Sequence, residues 1–280
     1  MNETPQAGVL LSMRLSVRYG DRPDVLRDVQ VNIRRGEVLG LVGQSGSGKS
    51  TLAMAVLGLL DRKQASAEGS IVCEGRDLLR LREKEFRALR GRKLALVLQS
   101  PLSALNPALK IRTQLKEAWR AHASGTPADC NNAVRLALES VTLPSTDDFL
   151  RKYPSQMSVG QAQRVLIAMA VMHRPALLIA DEATSALDII TQAEILTLFR
   201  QLNRSTGMAI LYISHDLASV GGICDRIAIL HQGQIVELGT TEQVLTTPQH
   251  EYTRRLMAAM PKIPQPQISP QEKTEAAAAK

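Results

Sequence analysis

The chain has 280 residues, of which 44% are hydrophobic and 22% are charged, a balance typical of a globular protein that buries a large core. Lys and Arg outnumber Asp and Glu by 34 to 27, and the resulting net charge of +7 suits polyphosphates, nucleic acid or an anionic membrane surface equally. The three cysteines, Cys73, Cys130 and Cys224, lack CxxC spacing and nearby His partners, which argues against a disulfide framework or a zinc site and favours a reducing, cytoplasmic setting.

The two ends of the chain carry no membrane signal. The N-terminus lacks a basic region followed by an apolar stretch, and no window approaches about 18 uninterrupted apolar residues. We therefore expect no signal peptide and no spanning helix, so that any membrane role depends on a partner. Residues 261–280 are rich in Pro, Gln and charge, which predicts a disordered tail.

Strand and helix patterns alternate along the chain, which indicates an α/β fold. In chain order the patterns predict strands at 11–19 and 37–42, helices at 111–122 and 131–141, strands at 176–180 and 208–214, and a hairpin of 226–230 with 234–238. The apolar strands vanish between about 100 and 165. We therefore predict one domain with a core at about 9–98 and 167–240, a helical insertion at about 99–166, and C-terminal helices at 241–260.

A glycine-rich motif lies between a predicted strand and a predicted helix. Residues 43–50 read GQSGSGKS, which fits GxxxxGK[ST], the pattern of a phosphate-binding loop. The glycines let backbone N–H groups face a phosphate, Lys49 reaches the β- and γ-oxygens, and Ser50 offers a hydroxyl to Mg²⁺. A plain glycine turn is the alternative, and the flanking strand and helix argue against it.

Two acidic residues, Asp181 and Glu182, end a second apolar strand. Ligands of parallel α/β sheets bind at that edge, so Asp181 is a candidate Mg²⁺ ligand and Glu182 a candidate base for an attacking water. His215 follows a third apolar strand, where its imidazole could contact the γ-phosphate and hold Glu182. Each feature alone is weak evidence, since strand-end charge pairs and surface histidines are common.

In this order the motifs closely resemble the ATP-binding-cassette (ABC) family over residues 9–260. The resemblance implies an adenine platform at Tyr19, a Q-loop residue at Gln99 that contacts Mg²⁺ and water, and a D-loop ending at Asp188. It also implies a P-loop NTPase core, with a RecA-like parallel sheet, an N-terminal antiparallel β subdomain and an inserted α-helical subdomain. The nucleotide-binding residues are then Tyr19, Gly43, Gln44, Ser45, Gly46, Ser47, Gly48, Lys49, Ser50, Thr51, Ser158, Gly160, Gln161 and Asp188, with Ser50, Gln99 and Asp181 for the metal and Glu182, His215 and Gln99 for catalysis.

The family's signature, usually LSGGQ, matches residues 157–161, which read MSVGQ. In the family Ser and the second Gly, here Ser158 and Gly160, close over the γ-phosphate held by the other subunit. Val159 replaces a glycine and, being β-branched, does not easily take a positive φ. One hypothesis is that the composite site completed by this signature is the less active of two, and the other is that Val159 is tolerated.

Within the family the chain looks most like the subunits that energise import of oligopeptides, dipeptides, nickel or metal chelates. Three segments carry this resemblance: GRDLLRLREKEFRALRGRKLALVLQ, which ends at Gln99, LQSPLSALNP, which overlaps its end, and TTPQHEYTRRLM near the end of the chain. Departures include Ser100, Ala183 and Glu251, where relatives usually carry an acidic residue, Pro and Pro. The resemblance implies an ATPase coupled to transport at the cytoplasmic face of the inner membrane. Its partners would be a second cassette, either a different chain or a second copy of this one, two transmembrane permease subunits and, indirectly, an extracytoplasmic solute-binding protein.

Two other classes of protein compete with this interpretation. A soluble ABC ATPase acting on nucleic acid or ribosomes would use the basic run at 76–93, but that run is more typical of a solvated amphipathic helix, and only 3% of residues are aromatic. We therefore expect no nucleic-acid partner. A metabolite kinase would share the phosphate-binding loop, although the signature-like residues and His215 argue against it.

Overall fold

The computed structural model describes residues 8–20, 23–61 and 63–259. The predicted disordered tail at 261–280 lies outside the described residues. The strands are β1 (Val9–Tyr19), β2 (Leu26–Arg34), β3 (Val38–Val42), β4 (Ala65–Cys73), β5 (Arg76–Asp77), β6 (Leu94–Val97), β7 (Leu177–Asp181), β8 (Ala209–Ser214), β9 (Arg226–His231) and β10 (Gln234–Thr240). The helices are α1 (Lys49–Val56), α2 (Glu83–Leu89), α3 (Pro101–Ala104), α4 (Ile111–Arg120), α5 (Pro127–Ser140), α6 (Asp147–Leu150), α7 (Val159–Val171), α8 (Ile189–Thr206), α9 (Leu217–Ile223), α10 (Thr241–Thr246) and α11 (Glu251–Ala258).

A six-stranded sheet forms the centre of the molecule, in the order β10-β9-β3-β8-β7-β6. Strands β9, β3, β8, β7 and β6 are parallel, and β10 pairs antiparallel at one edge. Its central strands are apolar and buried on both faces, as parallel strands usually are. In the register Val42 lies opposite Ser214, and Asp181 opposite Ile213, so the residues after β3, β7 and β8 meet at one edge.

Side-chain alternation along the central strands divides the core in two. Val38 and Val42 point to one side with α7, α8 and α9, whereas Leu39 and Leu41 point to the other, where α1 and the second sheet pack. That second sheet is antiparallel, in the order β2-β1-β4-β5. The predicted α/β fold with an antiparallel subdomain is therefore observed, although only β1 of that subdomain had a pattern clear enough to predict.

The predicted helical insertion is present. Regular structure between β6 and β7, a segment that is described throughout, is helical, from α3 to α7. Helix α5 begins at Pro127, four residues before the predicted start, because Thr126 caps it: the Asp129 amide donates to the Thr126 hydroxyl, and the Asp129 carboxylate accepts from the Thr126 amide at 2.8 Å. Helix α7 continues to Val171, so the insertion passes into the core through one continuous helix beyond the predicted boundary at 166.

No helix among the described residues combines the length and apolar character needed to cross a bilayer.

Candidate functional site

The predicted phosphate-binding loop joins β3 to α1. Residues Gly46 and Gly48 have φ of 79° and 107°, a left-handed backbone that favours glycine, and they curl the loop before α1 begins at Lys49. Gly43 has no room for a side chain, since a Cβ there would collide with the Leu230 carbonyl and with the hydroxyl of Ser47. The motif's glycines thus set both the curvature of the loop and its close contact with β9.

Lys49 is buried, with 5% of its surface exposed. Its Nζ donates to the carbonyl oxygens of Gly43 at 2.8 Å and Gln44 at 3.0 Å, so the loop wraps around its own lysine. Its nearest counter-charge is Glu182, with Oε1 3.7 Å from Nζ. The ammonium therefore lies inside the loop, at the position where phosphate oxygens bind in this type of loop.

Asp181 ends β7 with its carboxylate against α1. Burial raises the pKa of this carboxyl, while a hydrogen bond from the Ser50 hydroxyl opposes the rise. Oxygen Oδ1 is buried and has no hydrogen-bond partner among the described residues. Because buried polar atoms are nearly always paired, an unpaired carboxylate oxygen beside a serine hydroxyl fits a divalent cation that prefers oxygen ligands. The residues present therefore suit Mg²⁺.

Glu182 follows Asp181 with φ of 48°, a left-handed conformation that is uncommon outside glycine. Its amide donates to the Ile213 carbonyl at 3.0 Å, which fixes this turn against β8. The carboxylate bridges two positive or protonatable groups: Oε1 faces Lys49, and Oε2 lies 3.5 Å from Nδ1 of His215. The structure thus brings together the predicted base, the predicted histidine and the phosphate-binding loop.

A polar cavity of about 240 Å³ opens at this edge of the sheet. Its lining consists of Val25, Ser45, Gly46, Gly48, Lys49, Ser50, Thr51 and Glu182. Val25 was not predicted, since nothing in a lone valine after β1 signals a site. Tyr19 at the end of β1 and the exposed Gln99 after β6 do not line the cavity, so their roles remain predictions.

The signature residues form the N-terminus of α7 rather than part of this cavity. Ser158 is the N-cap, and its hydroxyl accepts from the Gln161 amide at 3.1 Å while Gln161 Oε1 accepts from the Ser158 amide at 3.3 Å. Val159 is the first helical residue, 38% exposed, and its φ is not positive. The backbone strain expected at Val159 is therefore absent, because Val159 has the right-handed conformation of a helix's first residue.

Gly160 is needed for packing within the chain. A Cβ there would lie 2.7 Å from the Thr191 side chain on α8. Thr191 in turn donates through Oγ1 to Asp188, whose carboxylate caps α8 by accepting from the amides of Ile190 and Thr191. The hydrogen bond from the Thr191 hydroxyl, followed by that from its amide, lowers the pKa of Asp188. Asp188 thus has a capping role in the structure, and its nucleotide contact remains a prediction.

The arrangement can hold a polyphosphate and activate water beside it. The loop supplies backbone donors and an enclosed ammonium, Asp181 and Ser50 supply oxygen ligands, and Glu182 supplies a carboxylate next to an imidazole. Phosphoryl transfer depends on such positioning and charge stabilisation.

Comparison with known proteins agrees with this geometry. Residues 26–185 match the ABC transporter family, and residues 236–280 match the oligopeptide/dipeptide transporter C-terminal region. The chain belongs to the ABC transporter family. We predicted that the chain is an ABC transporter ATP-binding subunit and an ATPase, and both predictions are confirmed. The comparisons give no support to the nucleic-acid alternative.

Three relatives illustrate the range within the family. The chain is 38% identical over 246 residues to the dipeptide transport ATP-binding protein DppD of Bacillus subtilis, covering 88% of this chain and 73% of DppD. It is 43% identical over 266 residues to the peptidoglycan transport ATP-binding protein YejF of Agrobacterium fabrum, and 39% identical over 248 residues to the glutathione import ATP-binding protein GsiA of Escherichia coli. These matches cover 94% and 85% of this chain but only 49% of YejF and 39% of GsiA.

Solved structures share the fold. The cbiO1 protein of Clostridium perfringens, part of the ABC transporter complex cbiONQ, superposes with a TM-score of 0.75 at 25% identity, covering 91% of this chain and 96% of cbiO1. A dimeric post-hydrolysis state of the cassette MJ0796 with ADP and Pi gives a TM-score of 0.70 at 25% identity, covering 82% of this chain and 98% of that one. The predicted fold class is therefore confirmed.

Proposed function

We propose that this chain is the ATP-hydrolysing subunit that powers import of short peptides across the cytoplasmic membrane. The observation that supports hydrolysis most strongly is the placement of Glu182 between Lys49 and His215 at the phosphate-binding loop. The substrate class rests on the match of residues 236–280 and on the relatives, which carry names for dipeptide and glutathione systems. Glutathione is itself a tripeptide.

Each catalytic side chain has a role set by its position. The loop amides and Lys49 hold the phosphates of ATP, and Glu182 accepts a proton from the water that attacks the γ-phosphorus. His215 lies 3.5 Å from Glu182, close enough to orient its carboxylate, and in this proposal its imidazole also contacts the departing phosphate. Tyr19 stacks on the adenine, as a tyrosine ring at the end of a strand can.

Ser50, Asp181 and Gln99 hold Mg²⁺ in this proposal. When bound, the cation would neutralise charge on the phosphate oxygens during transfer. The unpaired Oδ1 of Asp181 and the adjoining Ser50 hydroxyl support two of these ligands. Gln99 follows the neighbouring strand β6 at the same edge of the sheet, which supports the third.

The proposed assembly contains two cassettes and two transmembrane permease subunits at the cytoplasmic face of the inner membrane, supplied by an extracytoplasmic solute-binding protein. Ser158, Gly160 and Gln161 then face the ATP of the other cassette. The exposed start of α7 supports this, because a helix N-terminus favours an anion. ATP binding closes the two cassettes, and loss of the γ-phosphate lets them open.

Purification of the intact complex through a tag on this chain, followed by reconstitution into liposomes with its solute-binding protein, tests the proposal. We expect uptake of labelled di- and tripeptides that requires hydrolysable ATP and Mg²⁺ and that excess Ni²⁺ leaves unchanged. Uptake of nickel or a metal chelate instead would correct the substrate class. Absence of membrane partners, with ATPase activity that responds to RNA, would favour the nucleic-acid alternative.

A further inference from the structure

One hydrogen bond joins the C-terminal segment to the phosphate-binding loop across 208 positions of sequence. The hydroxyl of Tyr252, on α11, accepts from the Gln44 amide at 3.3 Å. Tyr252 is 5% exposed although it lies in the last described helix. The contact links the region that matches oligopeptide and dipeptide transporters, residues 236–280, to a loop that all members of the family need.

The Gln44 amide belongs to the same peptide unit as the Gly43 carbonyl. That carbonyl accepts from Lys49 Nζ at 2.8 Å, and the Gln44 carbonyl accepts from Nζ at 3.0 Å. Because the N–H and C=O of a trans peptide point in opposite directions, Tyr252 and Lys49 hold this peptide from opposite sides. A rotation of the peptide that broke one hydrogen bond would therefore misalign the other.

Tyr252 is held by two other contacts, one through its ring and one through its backbone amide. It stacks on His231, at the end of β9, with ring centroids 3.8 Å apart and planes 20° apart. Just before it, His250 caps α11 by accepting from the Tyr252 amide at 3.1 Å. The hydroxyl is therefore held in place before any nucleotide binds, which lowers the entropy cost of its hydrogen bond.

The start of α11 is also anchored to the sheet. Glu237, on β10, accepts from the amides of Gln249 and His250 at 2.8 and 3.1 Å, and Thr253 is fully buried beside it. These contacts tie the position of Tyr252 to the edge strand rather than to α11 alone. Displacement of the C-terminal segment would consequently withdraw the hydroxyl from Gln44.

We propose that Tyr252 is a positioning residue for ATP binding, acting through the Gly43–Gln44 peptide on Lys49. The C-terminal segment thereby sets the affinity of the phosphate-binding loop for nucleotide, in addition to covering the core. The inference rests on the proposed use of ATP. A purely structural tyrosine would need its ring and its stack on His231 but not its hydroxyl.

The substitution Tyr252→Phe keeps the ring and removes only the hydroxyl. In the full-length chain we expect Mg²⁺–ATP to bind about three- to tenfold more weakly, the change expected from loss of one neutral hydrogen bond. Exchange of the Gln44 amide in the nucleotide-free chain should accelerate by a similar factor, while the melting temperature stays within about 2 °C of wild type. Tyr153→Phe, which removes a hydroxyl from the exposed surface of the helical insertion, is the matched control and should change neither quantity.

A double-mutant cycle separates the route through Lys49 from other routes. In a Lys49→Ala background, Tyr252→Phe should leave the remaining ATP affinity unchanged. An equal loss of affinity with and without Lys49 would overturn the proposed route, and unchanged affinity and Gln44 exchange in the single variant would overturn the proposal itself. If wild type bound no ATP, the proposed function would fail, whereas Gln44 exchange would still report on the contact.

Discussion

The phosphate-binding loop and the signature segment are two anion-binding arrangements of very different construction. The loop lies at the end of a buried sheet, its lysine is 5% exposed, and its charged groups contact one another within the chain. The signature is the N-terminus of α7, where Val159 is 38% exposed and Ser158 and Gln161 satisfy each other. The loop is organised by the core of this chain, whereas the signature presents a surface.

This difference indicates how substitutions should act on the two regions. Changes at the loop alter groups that are already aligned, so they should affect chemistry or metal binding directly. Changes at Ser158 and Val159 in the signature alter an exposed surface that the second cassette covers in the proposed function. Their effects should therefore depend on the assembled complex.

The largest effect is expected for Glu182→Gln. The amide cannot accept a proton from water, so turnover of the assembled complex should fall by about 100-fold or more, while ATP still binds because Lys49 and the loop are unchanged. Steady-state phosphate release and gel filtration with ATP check this, and ATP-bound dimers should accumulate.

Glu139→Gln is the matched control, since Glu139 forms an exposed ion pair with Arg135 on α5, far from the loop in sequence. Wild-type turnover in Glu182→Gln would remove Glu182 from the catalytic role.

A smaller effect is expected for Asp181→Asn in the metal-free, nucleotide-free chain. Burial raises the pKa of Asp181 in the folded state, so the ionised carboxylate destabilises the fold. The wild type should lose stability relative to the variant as pH rises from about 4, its unfolded pKa, through the raised folded pKa. At pH 7 in EDTA the variant should melt about 2 °C higher, and at pH 3 the two should coincide.

Added Mg²⁺ and ATP should reverse this order, because asparagine is a poorer cation ligand than aspartate. Asp188→Asn provides the opposite control: the pKa of Asp188 is lowered, so removing its charge should give no gain in melting temperature at pH 7. An Asp181→Asn chain that melts no higher than wild type in EDTA would contradict the role of burial.

The smallest effect is expected at Val159. The Val159 backbone is already helical, so it does not hinder contact with the second cassette. What hinders that contact is the bulk of the exposed isopropyl group beside Ser158. Val159→Gly and Val159→Ala should both raise ATPase activity of the assembled complex, by about two- to threefold, an effect below ~1 kcal/mol.

The pair of variants decides between bulk and backbone freedom. If only Val159→Gly raises the ATPase activity, the glycine-like backbone at position 159 matters rather than the bulk of the side chain. If neither variant raises it, Val159 is tolerated.

Much of the loop region could be predicted because its functional residues lie close together in the sequence. Three glycines, a lysine and a serine within eight residues specify the loop, and the carboxyl ends of parallel strands place Asp181 and His215 near it. The same logic placed the helical insertion, although α7 continues past the predicted boundary because a helix need not stop where a subdomain does.

The remainder could not be predicted, because it depends on contacts between distant segments. Nothing in the sequence near Tyr252 indicates that its hydroxyl reaches Gln44, since the two residues meet only when the β9–β10 hairpin and α11 have folded.

Glu251, where relatives usually carry Pro, has a local explanation in the structure. It is the first residue of α11, where it pairs with Arg255 at 2.6 Å, and both acidic residues and Pro are favourable in that position.

The left-handed backbone at Glu182 has an evolutionary consequence. Adjacent residues of an extended strand point to opposite faces, so this single positive φ helps the Glu182 carboxylate enter the cavity at the edge of the sheet where Asp181 ends β7. A glycine would adopt that conformation with less strain, by roughly 1 kcal/mol, but would carry no carboxylate. Thermal stability therefore favours glycine at position 182, whereas turnover favours glutamate. Selection for stability alone would replace the residue that the proposed activity needs.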